Sequence, residues 1–296
     1  MQKIKRLLHF IFNHPLGKKH PLKSLRRFLL WQVQSSAQPD RFFIKRFIGP
    51  VKFLARKQLT GITGNIYTGL HEFDDMAFLL HFLRPGDGFF DIGANVGSYT
   101  LLASGICRAK SIAIEPVKAT FEILGLNIAL NLLHENVQLI NAAVGAQQGT
   151  VSFSADEDTT NHVIAQDESK ADIEVIQLVT IDSLLDQLQP DLIKIDVEGY
   201  ETEVLKGMQQ TLANPRLKAI IIELNGCGAR YGFDENAIHR QLLDNGFAPY
   251  TYDAFTRELQ AVNSYGDHNT IYCREIPVIK ERLYTAPAFK IMGEHI

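Results

Sequence analysis

Phe89-Phe90-Asp91-Ile92-Gly93-Ala94-Asn95-Val96-Gly97-Ser98-Tyr99-Thr100 decides the fold. An apolar run over Gly88–Ile92 reads as a buried strand, and Gly97–Ser104 opens a helix. A glycine-rich turn between a strand and a helix is the context of a nucleotide-cofactor site. Gly93 lets the chain turn sharply. Gly97, lacking a side chain, lets a ligand or a neighbouring backbone come close. The dinucleotide fingerprint G-x-G-x-x-G reserves its second glycine for a pyrophosphate. Asn95 occupies that place here, and the pattern is D-x-G-x-N-x-G. Asp91 puts an acid at the strand end, which favours a ligand that is cationic and carries no phosphate. S-adenosylmethionine, with an ammonium and a sulfonium, has that chemistry. An ordinary tight strand–helix connection is the plainer alternative for the motif alone.

The second strand, Ser111–Glu115, ends on Glu115 and Pro116. An acid there can accept hydrogen bonds from both hydroxyls of a ribose, or act as a helix-start acid. The pattern continues outward in the same alternation. A helix is expected over Val117–Asn131 and a strand over Val137–Asn141. Short strands over Thr150–Ser154 and Glu174–Leu178 flank a polar loop, Ala155–Asp172. Strands over Leu192–Ile195 and Ala219–Glu223 precede helices over Glu203–Leu212 and Glu235–Asn245. Late strands lie near Phe247–Tyr252 and Thr270–Cys273. Strands alternating with helices imply an α/β fold with a mostly parallel sheet.

In such sheets ligands bind beyond the carboxyl ends of the strands. Asp91, Glu115, Lys194, Asp196 and Glu198 therefore converge on one edge. Ala142, just past the third strand, joins Glu72, Asp91, Gly93, Asn95, Gly97 and Glu115 in the expected cofactor set. So many acids together need a cation to offset them. Asp196 or Glu198 is a candidate base, and Lys194 tunes the acid or stabilises developing charge. Glu198, Glu201 and Glu203 read equally as helix-entry acids. The loop Asp156–His162 is expected to be a substrate-facing lid, with His162 as a reserve base. Glu72 and Tyr67 either reach the methionine end of a cofactor or serve as a helix cap before the packing of Leu70 and Phe73. Asp196, Glu223 and Asn225 superficially match the carboxylate/amide set of magnesium-dependent O-methyltransferases. Magnesium (Mg2+) is therefore kept open, but spacing does not bring the three together and no metal ligand is assigned.

Three blocks together resemble the FkbM-type S-adenosylmethionine-dependent methyltransferases. They are Gly64-Asn65-Ile66-Tyr67-Thr68-Gly69-Leu70-His71-Glu72, Asp91–Gly97, and Asp191–Glu201 followed by Val204-Leu205-Lys206-Gly207. The resemblance spans roughly residues 60–273. It implies a seven-stranded class I methyltransferase (Rossmann-like) fold. It also implies O-methylation of a hydroxyl on a sugar, glycan or secondary metabolite. The reading gives a methyltransferase domain over 61–275, a basic helical N-terminal extension over 1–60 and a C-terminal tail over 276–296.

The 296 residues are 46% hydrophobic and 21% charged, which fits a soluble globule and excludes global disorder. The net charge of −3 hides an asymmetry. Residues 1–60 hold 14 Lys/Arg and one acid, Asp40, a net of +13. The rest hold 16 basic and 32 acidic residues, a net of −16. The basic head reads as a helical arm packed on the body, or as a peripheral membrane contact. Phe42, Phe43, Ile44 and Phe47, interleaved with Arg41, Lys45 and Arg46, belong to that helical reading. The acidic body opposes nucleic acid as a partner. No apolar run approaches a membrane span, and Cys107, Cys227 and Cys273 are sparse and unpaired in spacing. A cytoplasmic setting, with peripheral membrane contact through residues 1–60, is therefore expected. A nicotinamide-dependent oxidoreductase and a non-catalytic membrane-surface adaptor are the competing classes. Asn95 and the later acid block oppose the first.

Overall fold

The computed structural model describes residues 2–57, 59–154, 162–164, 173–266 and 268–296. Three helices come first: α1 (Gln2–Asn13), α2 (Pro15–Lys19) and α3 (Pro21–Ala37). Pro15 and Pro21 each begin a helix, where a missing N–H costs nothing. A hairpin of β1 (Phe43–Arg46) and β2 (Lys52–Ala55) follows, paired Phe43 to Ala55. Residues 43–46 are thus a strand, not part of a basic amphipathic helix. The reason is local. Phe43 and Lys45 point one way and Ile44 and Arg46 the other, and Gly49, with φ of 53°, sits in the turn between the strands.

Helices α4 (Thr60–Thr68) and α5 (Phe73–Phe82) lead into the central sheet. Its strands begin with β3 (Gly88–Ile92), β4 (Lys110–Ile114) and β5 (Val137–Ile140). Between β3 and β4 lie α6 (Ser98–Thr100) and a π-helical stretch, Leu101–Ile106; α7 (Lys118–Leu130) joins β4 to β5. A small side sheet follows, of β6 (Ala143–Val144), β7 (Gly149–Ser154) and β8 (Ile173–Val179), with β8 in the middle. The chain then returns through β9 (Leu192–Ile195), α8 (Glu201–Lys206), α9 (Gln209–Ala213), β10 (Ala219–Glu223) and α10 (Glu235–Asp244). β11 (Ala248–Asp253), β12 (Glu258–Ala261) and β13 (Asn269–Cys273) finish the sheet. The expected helix over Glu203–Leu212 is divided at Gly207, where a Cβ would come within 2.0 Å of the Gly145 carbonyl oxygen.

The sheet order is β12-β11-β13-β10-β9-β3-β4-β5. The five strands from β10 to β5 are parallel, and β13 enters antiparallel between β10 and β11. This is the mostly parallel α/β sheet expected from the sequence, with β12 as an eighth strand on one edge. Every residue of β3 and β9 is buried. Strands covered on both faces are continuous apolar runs for that reason.

The chain moves outward from β3 to β5 and comes back to β9, on the other side of β3. This reversal is the topological switch point, where such sheets leave a crevice. The register there is level: Asp91 faces Lys194 and Ile92 faces Ile195. The loops after β3 and β9 therefore leave the sheet side by side.

The N-terminal helices share a core with this body. Ile11, Phe28 and Trp31 pack in one buried cluster with Phe53, Ile62, Ala94 and Leu124. Residues 276–296, the C-terminal tail, pack on the body. They form α11 (Ile276–Thr285) and a hairpin of β14 (Lys290–Ile291) and β15 (Glu294–His295). Ile279, Leu283 and Ile291 of this segment are buried with α5. Among the described residues no helix is long and apolar enough to cross a membrane.

Candidate active site at the switch point

A cavity of about 900 Å³ opens over the ends of β3, β4 and β9. Its floor is the Gly93–Asn95 turn. Gly93 has φ of +76°, and a Cβ on it would sit 1.8 Å from the Asp196 carbonyl oxygen. Only glycine fits between the two loops. Asn95 adopts the left-handed region at φ 50°, which Asn tolerates, and its Oδ1 accepts from the Val96 N–H at 2.8 Å. α4 abuts this turn, since a Cβ on Gly61 would come within 2.8 Å of Asn95 Oδ1.

Two acids brace the turn. Asp91 is buried, and its Oδ2 accepts from the Thr100 N–H at 2.9 Å and the Thr100 hydroxyl at 2.5 Å. Burial nevertheless pushes its carboxyl up to about 6. Glu115 accepts from the Asn95 N–H and the Val117 N–H, each at 2.9 Å. Burial outweighs these bonds and moves it up to about 7. Each oxygen has two lone pairs, so Glu115 can still accept from a ligand in the cavity it lines. Ala142, from the loop after β5, lines the same wall.

A Cβ on Gly97 would meet Leu124 of α7 at 2.5 Å. With φ of +93°, this glycine serves the turn and the close approach of α7.

The loop after β9 is built differently. Lys194 is 2% exposed and Asp196 31%, and their Nζ and Oδ2 lie 3.3 Å apart. The pair meets at ion-pair range, yet Lys194 Nζ has no hydrogen bond of good geometry. Burial lowers the Lys194 ammonium, but Asp196, Glu72, Glu223 and Asp75 together hold it above its ordinary value. Burial likewise raises Asp196, but Lys194 and a hydrogen bond from Glu223 bring it below the usual carboxylate range. Burial and the neighbouring Asp196 push Glu223 up to about 8. Of the two carboxyls, Glu223 is the one pushed toward its neutral form.

Glu198 lines the cavity in the left-handed region at φ 55°, a conformation non-glycine residues pay to adopt. Burial and Asp196 move it up to about 7, with Arg230, Lys194 and His162 opposing. Gly199 follows at φ +103°, tight against Cys227. Glu201 is the acid that plays the helix-entry role, accepting from the Val197 N–H at 3.1 Å and the Gly199 N–H at 3.2 Å. Glu203 instead pairs with Lys206 at 2.5 Å.

Glu72 stands at the N-cap of α5 but makes no capping bond. It lines the cavity, and the Tyr99 hydroxyl donates to its Oε2 at 2.6 Å. Tyr67 also lines it, accepting from Gln32 Nε2 at 3.3 Å. His162 does not line the cavity. It is buried beside Val163, which does, and lies near enough to Glu198 to lower its pKa. The Asp156–Asn161 part of the expected lid lies outside the described residues.

Sequence reasoning missed Tyr99, Asp75 and the lining by α1 and α3. Asp75, pushed up by burial to about 7, accepts from Asn269 Nδ2 at 3.2 Å. Leu7, Phe10, Phe28, Trp31 and Gln32 all face the cavity. Among the described residues no group of three or more His, Cys, Asp or Glu side chains is arranged to hold a metal ion.

Residues 91–249, more than half the chain, match the family described as the Methyltransferase FkbM domain. The chain belongs to the FkbM methyltransferase family. That displaces the nicotinamide-oxidoreductase alternative. Over 159 residues it is 28% identical to the hexuronic acid methyltransferase AglP of Haloferax volcanii, covering 52% of this chain. Over 161 residues it is 24% identical to the methyltransferase sdnD of Sordaria araneosa, covering 43% of this chain. Each match spans 62% of the relative's length. Among solved structures, the precorrin-6y C5,15-methyltransferase of Geobacter metallireducens is 16% identical at a TM-score of 0.39, covering 69% of this chain and 87% of that one. M. capricolum TrmK in complex with S-adenosyl-homocysteine is 10% identical at 0.38, covering 67% and 66%. The fold assignment of this FkbM chain rests on its own strand order.

Proposed function

We propose that this FkbM methyltransferase uses S-adenosylmethionine to methylate a hydroxyl of a sugar, glycan or secondary metabolite. One observation carries the reading: Asp91, Glu115, Lys194 and Asp196 meet around one cavity at the switch point. The residues fit the cofactor's charge. Burial has raised Asp91, Glu115 and Glu198, and a bound cation relieves that cost. Glu115 would hold the ribose, Gly93 and Asn95 the floor, Ala142 the adenine side, and Glu72 and Asp91 the methionine end. Bound there, S-adenosylmethionine supplies an electrophilic methyl group.

Methylating a hydroxyl releases one proton, and we assign it to Asp196. Both members of the Lys194–Asp196 pair line the cavity, and Asp196 is the more exposed, at 31% against 2%. Lys194 keeps it ionised and oriented before the proton arrives. Glu198 is the second candidate base, and His162 acts on Glu198 rather than on the acceptor. The acceptor class draws on the hexuronic acid named for AglP and on the family resemblance.

The test follows transfer of a radiolabelled methyl group from S-adenosylmethionine to a panel of neutral and acidic sugars. Asp196→Asn is expected to lower the rate by about 10²–10⁴-fold, with affinity for S-adenosylhomocysteine retained. Transfer at the parent rate by Asp196→Asn would remove Asp196 as the base.

A further inference from the structure

Helix α3 has two apolar faces. Ser24, Phe28, Trp31 and Ser35 are buried, at spacings of four, three and four residues. Leu22, Leu29, Leu30 and Val33 lie on the opposite side and are 82%, 53%, 57% and 71% exposed. At about 100° per residue these four, with Arg26 among them, fall in a stripe roughly 100° wide. Phe28, Trp31 and Gln32 line the cavity, so the helix faces the site on one side and presents bare hydrocarbon on the other.

The segment that holds the helix carries side-chain charge of one sign, and among the described residues Glu294 of β15 meets it only at Lys19 and His20. Residues 1–39 contain eight Lys/Arg and no acid. Lys5, Lys18 and Arg26 are exposed. Scattered exposed apolar side chains are ordinary; a helix-long stripe inside a wholly basic segment is not. A second copy of this chain seated on the stripe would oppose two such basic segments, which repel. An anionic lipid surface satisfies both features. Acyl chains take up the leucines and headgroups take up the cations.

We propose that the outer face of α3 docks on an anionic membrane surface. The inference is independent of the reaction assigned above, because it rests on helix geometry and charge alone. Docking through this face puts the helix that walls the cavity at the lipid surface.

The experiment is co-sedimentation of the full chain with vesicles of phosphatidylcholine, or of phosphatidylcholine mixed with phosphatidylserine, without cofactor or acceptor. The chain is expected to pellet with the mixed vesicles, little with phosphatidylcholine alone, and less as salt rises. Leu29→Gln/Leu30→Gln/Val33→Gln keeps good helix formers on exposed positions and should lower partitioning by about tenfold or more. Arg26→Glu, which removes one cation and adds an anion, should lower it by roughly tenfold. Unchanged circular dichroism and unchanged mass by light scattering in both variants would show that fold and oligomeric state are not the cause. Equal pelleting of parent and triple variant would overturn the proposal, as would failure of the parent to bind mixed vesicles. So would a parent dimer that the triple variant dissolves, which would make a second copy the occupant.

Discussion

The loops after β3 and β9 leave neighbouring strands at the same level, yet they spend their carboxylates in opposite ways. Around the Gly93–Gly97 turn, Asp91 and Glu115 each accept two hydrogen bonds from nearby groups, three of the four from backbone N–H. Those acids hold the cradle rigid. Around the Asp196–Gly199 loop, Lys194 Nζ is poorly satisfied, Asp196 is 31% exposed, Glu223 is pushed up by burial and by Asp196, and Glu198 stands in the left-handed region. That loop holds charge in an unspent state. Under the proposed function this difference divides the labour, with one loop binding and its neighbour reacting.

The comparison breaks most completely at the point where the loops touch. Gly93→Val adds a side chain against the Asp196 carbonyl and at a φ of +76°. Both loops should be displaced, with a stability loss on the order of 3–5 kcal/mol by urea denaturation and no measurable binding of S-adenosylhomocysteine. A variant with parent stability would refute the contact.

Glu115→Gln probes the binding loop alone. It leaves one acceptor oxygen where two backbone N–H groups and a ligand need two. Affinity for S-adenosylhomocysteine should fall by roughly 10–100-fold, or about 1.5–3 kcal/mol for hydrogen bonds to a charged group. Unchanged affinity, read by calorimetry, would take Glu115 out of the cofactor set.

The smallest effect is a pH slope. Glu115, Glu198 and Glu223 are raised to about 7, 7 and 8. Unfolding returns each to the ordinary carboxylate range. Above pH 6.5 the folded chain therefore binds more protons than the unfolded chain, and stability falls as pH rises through 7 to 8. His14 and His81, lowered to about 4 by burial, act in the opposite sense, and their contribution fades as the unfolded imidazoles lose their last protons by roughly pH 7.5, so it offsets part of the decline at the low end of the range. Urea titrations between pH 6.5 and 8 should show a decline on the order of 1 kcal/mol, partly flattened in Glu223→Gln. A rise over that range would contradict the raised acids.

Much of this was legible in the chain itself. Strands buried on both faces betray themselves as apolar runs, so β3, β9 and β10 and their level ends could be read directly. Asp91, Glu115, Lys194 and Asp196 follow from strand ends alone. Roles that depend on distant partners were not legible. Gly97 answers to Leu124, Glu72 to Tyr99, and Asp196 to Glu223, contacts set by packing rather than spacing. The strand at 43–46 reads apolar, apolar, basic, basic, so its alternating burial has no counterpart in the sequence, and its cue was the Gly49-Pro50 turn. Basic composition over the whole head outweighed it. The inner face of α3 had no signal at all, because both of its faces are apolar.

The central claim is that the switch-point cavity of this FkbM methyltransferase holds S-adenosylmethionine. Isothermal titration of the purified chain with S-adenosylhomocysteine tests it most directly, with NAD run in parallel. The account predicts one site per chain with a Kd on the order of micromolar, near −8 kcal/mol, and no heat with NAD. No binding of S-adenosylhomocysteine, or binding of NAD at equal strength, would contradict it.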